Sequence, residues 1–447
     1  MIEPEAGLEP PNRSEPTPPA QPSGRAGSAL VVTAGASLWV AVATVLQLVR
    51  SPGRPLWRSI WAEDGNVFLN DAIAHPVRSL AKSHAGYLQF MGRAVGSLAA
   101  VLPLEDAAAT FAVTGCLVVS LVSVYVYFSS RSILGSRWAR ALLAASFVFA
   151  PVTAFEVAAN GLDLHWYLLF ACFLALWSTS EATAGIVADS VVVGLATLSG
   201  PLAVLYAPLA LRRLRVGKTR RRWIVPGVYA AAVAAQTVTA VLFPAATQRY
   251  SDFRLINVPI AYGLRVAGSV LVGDHYLRSA WLNLGLLFAA LSLLIVGATG
   301  LYAVIRARDQ KLTLIVVASA YSVVMFTVSV YLRGTGEMRP PVGAFNLDGS
   351  RYTVVPVLLL ITVLLVVADD PATFGPAWVV RSLAGFVVLV AVLNYRSVLP
   401  VRNGAPDWRE SVRVAREQCR APGVPSVTVP VAPGPPENWH VEVPCER

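Results

Sequence analysis

The sequence predicts an all-α polytopic membrane protein, and three observations carry that prediction. Hydrophobic residues make up 55% of the 447 and charged residues only 14%, with a mean hydropathy of +0.59, outside the range of ordinary soluble domains. The apolar runs approach the length a helix needs, about 20 residues for a bilayer core of about 30 Å, rather than that of barrel strands. The net charge of +10 sits largely in short clusters beside apolar runs, Arg131/Arg137/Arg140 and Arg212 through Arg222. That is the pattern of cytoplasmic loops and not of a nucleic-acid surface.

Residues 1–27, rich in Pro, Ser, Gly and Glu, bury too little apolar surface to fold and read as a disordered cytoplasmic tail. A first span over about 28–49 has no small-residue cleavage pattern close behind it, so it reads as a retained anchor. Further segments are expected near 107–128, 140–157, 164–179, 184–199, 201–211, 223–243, 281–305, 312–332, 352–368 and 376–395, about eleven transmembrane segments in all. Alternation from a cytoplasmic N-terminus puts Arg131/Arg137/Arg140, the Arg212–Arg222 cluster and Arg306/Arg308/Lys311 on one side, in agreement with the charge rule. Ser199-Gly200-Pro201 divides 184–211 into two short helices, a short or re-entrant hairpin tolerable where protein shields the backbone.

An odd number of crossings leaves 396–447 as a short extracytoplasmic tail. Cys419 and Cys445 flank its Pro-rich part and are expected to form a disulfide in an oxidising compartment. Cys116 and Cys172 fall in apolar spans and read as packing residues. The exterior loops are then 50–106, 158–163, 244–280 and 333–351, and all five histidines (His75, His84, His165, His275, His440) lie in or beside exterior segments. The interior loops are short and mostly basic, so chemistry belongs to the exterior face.

The first exterior loop is long enough to be functional. Tyr87, Met91, Val95, Leu98 and Leu102 recur at steps of three and four, which suits an interfacial helix with its apolar side towards lipid. Upstream lie Trp61-Ala62-Glu63-Asp64-Gly65 and Asp71. A carboxylate there, near the membrane surface and near arginines, suits a general base for a hydroxyl acceptor; alternatively Glu63 and Asp64 cap a helix beginning near Asn66. Asn160, Asp163, His165 and Trp166 occupy the outer end of a span, where amide, acid and ring could hold a sugar. Arg351 and Tyr352 begin the tenth span from outside, following Asp348. An arginine at that depth is usually partnered, and a lipid phosphate would be a fitting counter-charge; the alternative is snorkelling to the interface. Arg333 and Arg339 line the same loop.

Taken together, Glu63-Asp64-Gly65 with Phe68, Gly86-Tyr87-Leu88 with Arg93, the polar helix end at 160–166, the Ser-Gly-Pro hairpin and Arg351-Tyr352 at the head of a span resemble the bacterial GT-C glycosyltransferases. The likeness covers most of residues 28–395. It implies a plasma-membrane enzyme that takes a sugar from a polyprenyl-phosphate donor and passes it to a glycan, lipid or protein acceptor. It implies an acid of the first exterior loop as base, by position Asp64, with Glu63 or Asp71 as stand-ins. Arg351 with Arg93 or Arg333 would neutralise the departing lipid phosphate, while Asp71, Tyr87, Asn160, Asp163, His165, Trp166 and Tyr352 would line the substrate. Some members use a divalent metal, for which the sequence offers no firm ligand cluster. Two other readings stay open. A transporter or flippase would want charged or broken helices at mid-membrane and repeated halves, which the sequence does not display; a non-catalytic envelope-assembly subunit would need the same polar residues only as surface.

Overall fold

The computed structural model describes residues 23–217, 219–244, 253–333, 338–341, 344–345, 348–396, 402–403, 406–433 and 438–445. The tail expected at 1–27 lies largely outside them. Every expected segment meets a helix: Ser23–Leu48, Ala107–Ser129, Arg137–Phe149, Leu164–Trp177, Thr183–Ser199, Ala207–Val216 behind a 3-10 turn at Pro201–Tyr206, Ile224–Leu242, Leu286–Arg306, Asp309–Arg333, Val354–Asp369 and Ala377–Leu393. Among the described residues six helices are long and apolar enough to cross a membrane unaided, and Leu164–Trp177, Thr183–Ser199 and Ala377–Leu393 are shorter apolar helices. Eleven therefore counts helical segments, and the number that traverse the bilayer is not set by it. Arg137–Phe149 stops well short of the expected residue 157 because Pro151 follows, and a proline disfavours helical backbone in the residue before it.

Leu164–Trp177 is the axis of the bundle. All its residues are buried and, His165 apart, it is hydrophobic on every side, the signature of a helix wrapped by others. Phe170 and Tyr167 meet Phe147, and Phe173 meets Tyr206 and Tyr321. The first span runs antiparallel to Ala107–Ser129, joined by Trp39 Nε1 to Ser123 Oγ (3.0 Å), Thr44 Oγ1 to Ser120 Oγ (3.1 Å) and Gln47 Nε2 to the Cys116 carbonyl (3.2 Å). Inside lipid, where burial of apolar surface drives little association, such small-residue contacts and interhelical hydrogen bonds are what hold helices together.

The long first loop folds into short helices at Asp64–Leu69, Asn70–Ala74 and Pro76–Ser79, a minimal hairpin pairing Ser83–His84 with Tyr87–Leu88, and a helix Phe90–Val101. The apolar stripe expected of that helix is divided. Tyr87 lies in the hairpin, Val95 is buried, and Leu98 and Leu102 are exposed. The small residues decide its orientation: a methyl at Gly92 would lie 2.4 Å from the Phe68 ring, and one at Gly96 would lie 2.9 Å from the Phe68 carbonyl oxygen. The helix thus presses its Gly92/Gly96/Ala99/Ala100 side onto the chain carrying the acidic motif.

The C-terminal region folds back onto this loop. It consists of a helix Trp408–Gln418 and the hairpin Ser426–Pro430/His440–Pro444, stapled by Cys419–Cys445 with a Cα–Cα distance of 5.1 Å. Trp408, Val412, Val429, Val441 and Val443 join the main core. The Ala62 amide donates to the Ala432 carbonyl (2.7 Å) and the Ala432 amide to that of Ile60 (2.9 Å). Asn70 Nδ2 donates to the His440 carbonyl (3.2 Å), and the Glu442 amide donates to Asn70 Oδ1 (2.9 Å).

Candidate active site

Two chain segments make the site. The first is Trp61–Gly65; the second is the loop between Phe149 and the axial helix, where Ala159 takes a left-handed backbone (φ 54°), a conformation that L-residues adopt only when their surroundings impose it. Asp64 joins the two. Its Oδ2 accepts the Gly161 amide at 2.8 Å and its Oδ1 the Leu162 amide at 2.9 Å, and its side chain is wholly buried. Burial lifts the Asp64 carboxyl to about 7, against the pull of those two amides and of Arg402. Gly161 fits a tight place, since a Cβ there would stand 3.3 Å from Asp64 Oδ1 and 3.4 Å from Gly92 Cα.

Behind Gly161 the polar groups form one network. Asn160 Nδ2 donates to Asp163 Oδ2 (3.0 Å) and to the Glu156 carbonyl (2.5 Å), and Trp166 Nε1 donates to Asp163 Oδ1 (3.2 Å). Burial pushes Asp163 up to about 8, the Glu156 and Glu63 charges push the same way, and Arg351 and the Asn160 amide oppose them. His165 Nδ1 donates to the Leu162 carbonyl at 2.6 Å, which leaves Nε2 the acceptor in the neutral ring. Trp166 stands edge-on to Tyr352 at 5.5 Å.

Arg351 has a protein partner: Nη1 donates to Glu156 Oε2 at 3.0 Å, and its backbone amide donates to Glu156 Oε1 at 2.9 Å. The expected lipid phosphate is thus not required to balance its charge. Yet its Nε and Nη2 have no hydrogen-bond partner among the described residues, and the side chain is 23% exposed. Glu63 differs from every other acid here. It is half-buried, accepts no hydrogen bond among the described residues, and its charge acts on Asp64, Asp163 and Arg351 together.

Glu63, Asp64, Asn160, Asp163, His165, Trp166, Arg351 and Tyr352 are therefore brought together, while other expected site residues are not. Asp71 is paired with Arg93 (3.0 Å) and Lys82. Arg93 is fully buried, donates also to the Ser83 carbonyl and lies over the Phe68 ring at 5.4 Å, so both act within the loop. Tyr87 accepts from Gln89 Nε2 (2.7 Å) in the hairpin. The Arg333 side chain lies outside the described residues. Among the described residues no group of three or more His, Cys, Asp or Glu side chains is arranged for a metal ion, and of the acids that the site collects Asp64, Asp163 and Glu156 are held by backbone amides, the Asn160 amide, the Trp166 indole and the Arg351 guanidinium.

Two further residues complete the site. Glu156, a lone acid within an apolar stretch, was legible as an expensive charge in need of a partner. Arg402 gives no such signal. Its Nη1 donates to the carbonyls of Leu56 and Ser59 (both 3.0 Å) and its Nη2 to those of Ala158 and Ala159 (both 3.1 Å), with the Trp61 ring at 5.8 Å. Burial brings Arg402 down to about 10, with the Asp64 charge opposing. One guanidinium from the C-terminal region thus ties together the two segments that carry the carboxylates.

No family model matches the chain, and no curated protein matches it. Among solved structures the chain is similar to ArnT from Cupriavidus metallidurans in the apo state, at 14% identity over 77% of this chain and 78% of that one, with a TM-score of 0.36.

Proposed function

We propose that this chain is a membrane glycosyltransferase that moves a sugar from a polyprenyl-phosphate donor to a glycan, lipid or protein acceptor on the extracytoplasmic face of a bacterial plasma membrane. Its N-terminus would lie in the cytoplasm and its C-terminal region outside. The GT-C resemblance of its motifs and the three basic clusters on one side support this reading. The observation that carries it is the placing of Glu63, a carboxylate that accepts no hydrogen bond among the described residues, where its charge acts on Arg351 and Asp163, the latter bonded to Asn160 and Trp166.

In this reading Glu63 is the base and Asp64 its anchor. Asp64 is fully buried with both oxygens engaged, so it holds the motif against Gly161–Leu162, whereas Glu63 keeps both oxygens for a substrate. Glu63 takes the proton of the acceptor hydroxyl as that oxygen bonds to the anomeric carbon. The bond from that carbon to the donor phosphate breaks, and polyprenyl phosphate leaves with the electron pair. Arg351, pinned by Glu156 on one side, offers Nε and Nη2 to the phosphate as its charge grows, where a preorganised donor lowers the barrier most. A single displacement inverts the anomeric centre.

The test is turnover of a radiolabelled polyprenyl-phosphate sugar by protein in proteoliposomes. Wild-type protein is expected to release polyprenyl phosphate and Glu63→Gln to release almost none. Movement of intact donor across the bilayer, unchanged in Glu63→Gln and without release, would replace the enzyme by a flippase.

A further inference from the structure

At the end of the bundle opposite the site, the helices Ser23–Leu48, Ala107–Ser129 and Arg137–Phe149 leave a groove of about 460 Å³. The antiparallel pairing of the first two helices fixes where it lies. Gln47 reaches the Cys116 carbonyl and Leu48 packs beside Ala112 and Cys116 at the end nearer the site, so Val31, Tyr127 and Phe128 are at the other. The floor is predominantly apolar, with Gly35, Trp39, Ala141 and Ala145 among its lining residues, and its size is that of a site for a ligand of moderate length. Val31 and Val32 at its mouth are 71% and 51% exposed, so the groove opens sideways, into the hydrocarbon.

The rim is basic. Arg140 lies over the Tyr127 ring at 5.4 Å, and Arg131 and Arg137 are exposed without an acidic partner among the described residues. The nearby acid, Asp369, is taken up by the amides of Gly135 and Ser136 and by the Ser136 hydroxyl. Trp138, 38% exposed, is the kind of side chain that settles at headgroup depth. An apolar slot facing lipid beneath three arginines matches a molecule with an acyl chain and an anionic head. Residues 1–22 would be the other occupant at hand, but their Pro- and Glu-rich sequence supplies no apolar run to fill the slot.

We propose that this groove is a binding site for one anionic phospholipid of the leaflet opposite the active site, with an acyl chain between the three helices and its phosphate on Arg131, Arg137 and Arg140. Basic pockets between spans are known to select acidic headgroups in this way.

The site is read by native mass spectrometry of protein delipidated in detergent and then titrated with phosphatidylglycerol or with phosphatidylcholine of identical chains. Wild-type protein is expected to keep one phosphatidylglycerol with a preference of about tenfold over phosphatidylcholine. The triple variant Arg131→Gln, Arg137→Gln, Arg140→Gln is expected to lose the preference. Gly35→Phe is expected to abolish retention of either lipid while the protein stays folded, because a Cβ at Gly35 meets nothing within 4 Å. Equal retention of the two lipids by wild type, or undiminished retention by Gly35→Phe, overturns the proposal. So does a change from dimer to monomer in Gly35→Phe with lipid binding intact, which would give the groove to a second copy of the chain.

Discussion

Asp64 and Gly161 are joined by a hydrogen bond of 2.8 Å from the Gly161 amide to Asp64 Oδ2, with Leu162 matching it on Oδ1 at 2.9 Å. The pair separates the work of two adjacent acids. A buried carboxylate that satisfies two buried amides is a structural clamp, and removing it leaves two N–H groups without acceptors, at about 1–3 kcal/mol each. Its neighbour Glu63 carries no such duty.

Glu63→Gln is therefore expected to lower kcat by about 10²- to 10⁴-fold, the range of a lost general base, with an unchanged melting temperature in detergent. Asp64→Ala is expected to lower the melting temperature by several degrees and to reduce the yield of folded protein. Assay and thermal scan on the same preparations check both. Wild-type turnover in Glu63→Gln would remove it as base.

Stability should fall as pH rises from about 4 to about 8. Burial raises Asp64 to about 7 and Asp163 to about 8, above the ordinary carboxylate value of about 4. Between those limits the folded protein holds protons that the unfolded chain has lost, so each unit of pH favours unfolding. The contribution of protonation is greatest at the acid end of this window and is lost as pH passes 7 and then 8. Melting temperatures at pH 5 and pH 8.5 test this, and Asp163→Asn is expected to narrow the difference. A difference of the opposite sign in the wild type, with no narrowing in Asp163→Asn, would show that these two acids do not govern it.

Gly161→Val should displace the 160s loop from the acidic motif. Even the first carbon of a side chain would crowd Asp64 Oδ1 at 3.3 Å, and its neighbours Gly92 and Phe111 stand at 3.4 Å. Such overpacking costs about 1–3 kcal/mol. The expected outcome is a lower melting temperature and a loss of turnover larger than that of Gly161→Ala, measured side by side.

Arg402→Ala is expected to leave four buried carbonyls unsatisfied and to loosen the contact between Leu56–Ser59 and Ala158–Ala159. Because Arg402 holds those backbones and its charge acts on Asp64, which anchors the motif, kcat should fall with little change in KM for the donor. Arg402→Lys should restore only part of the rate, since an ammonium cannot reproduce the planar fork. A KM rise with kcat unchanged would instead put Arg402 in contact with substrate.

The sequence by itself determined the class, the order of the helices and the gathering of polar groups in the loops and at the ends of apolar runs, because these follow from local hydropathy and from proline and glycine punctuation. Glu63 in the long first loop, and Asn160, Asp163 and Arg351 at span ends, were all legible as candidate site residues. Only the tertiary structure decided what each of them does. Asp64 meets Gly161 across 97 positions of chain, Arg351 meets Glu156 across 195, and Arg402 reaches Leu56 across 346. Likewise the Phe90–Val101 helix turned its small residues inward, and Asp71 and Arg93 spent their charges on each other. A side chain's hydrogen-bond partners are set by which distant backbones approach it, and neither periodicity nor composition carries that information.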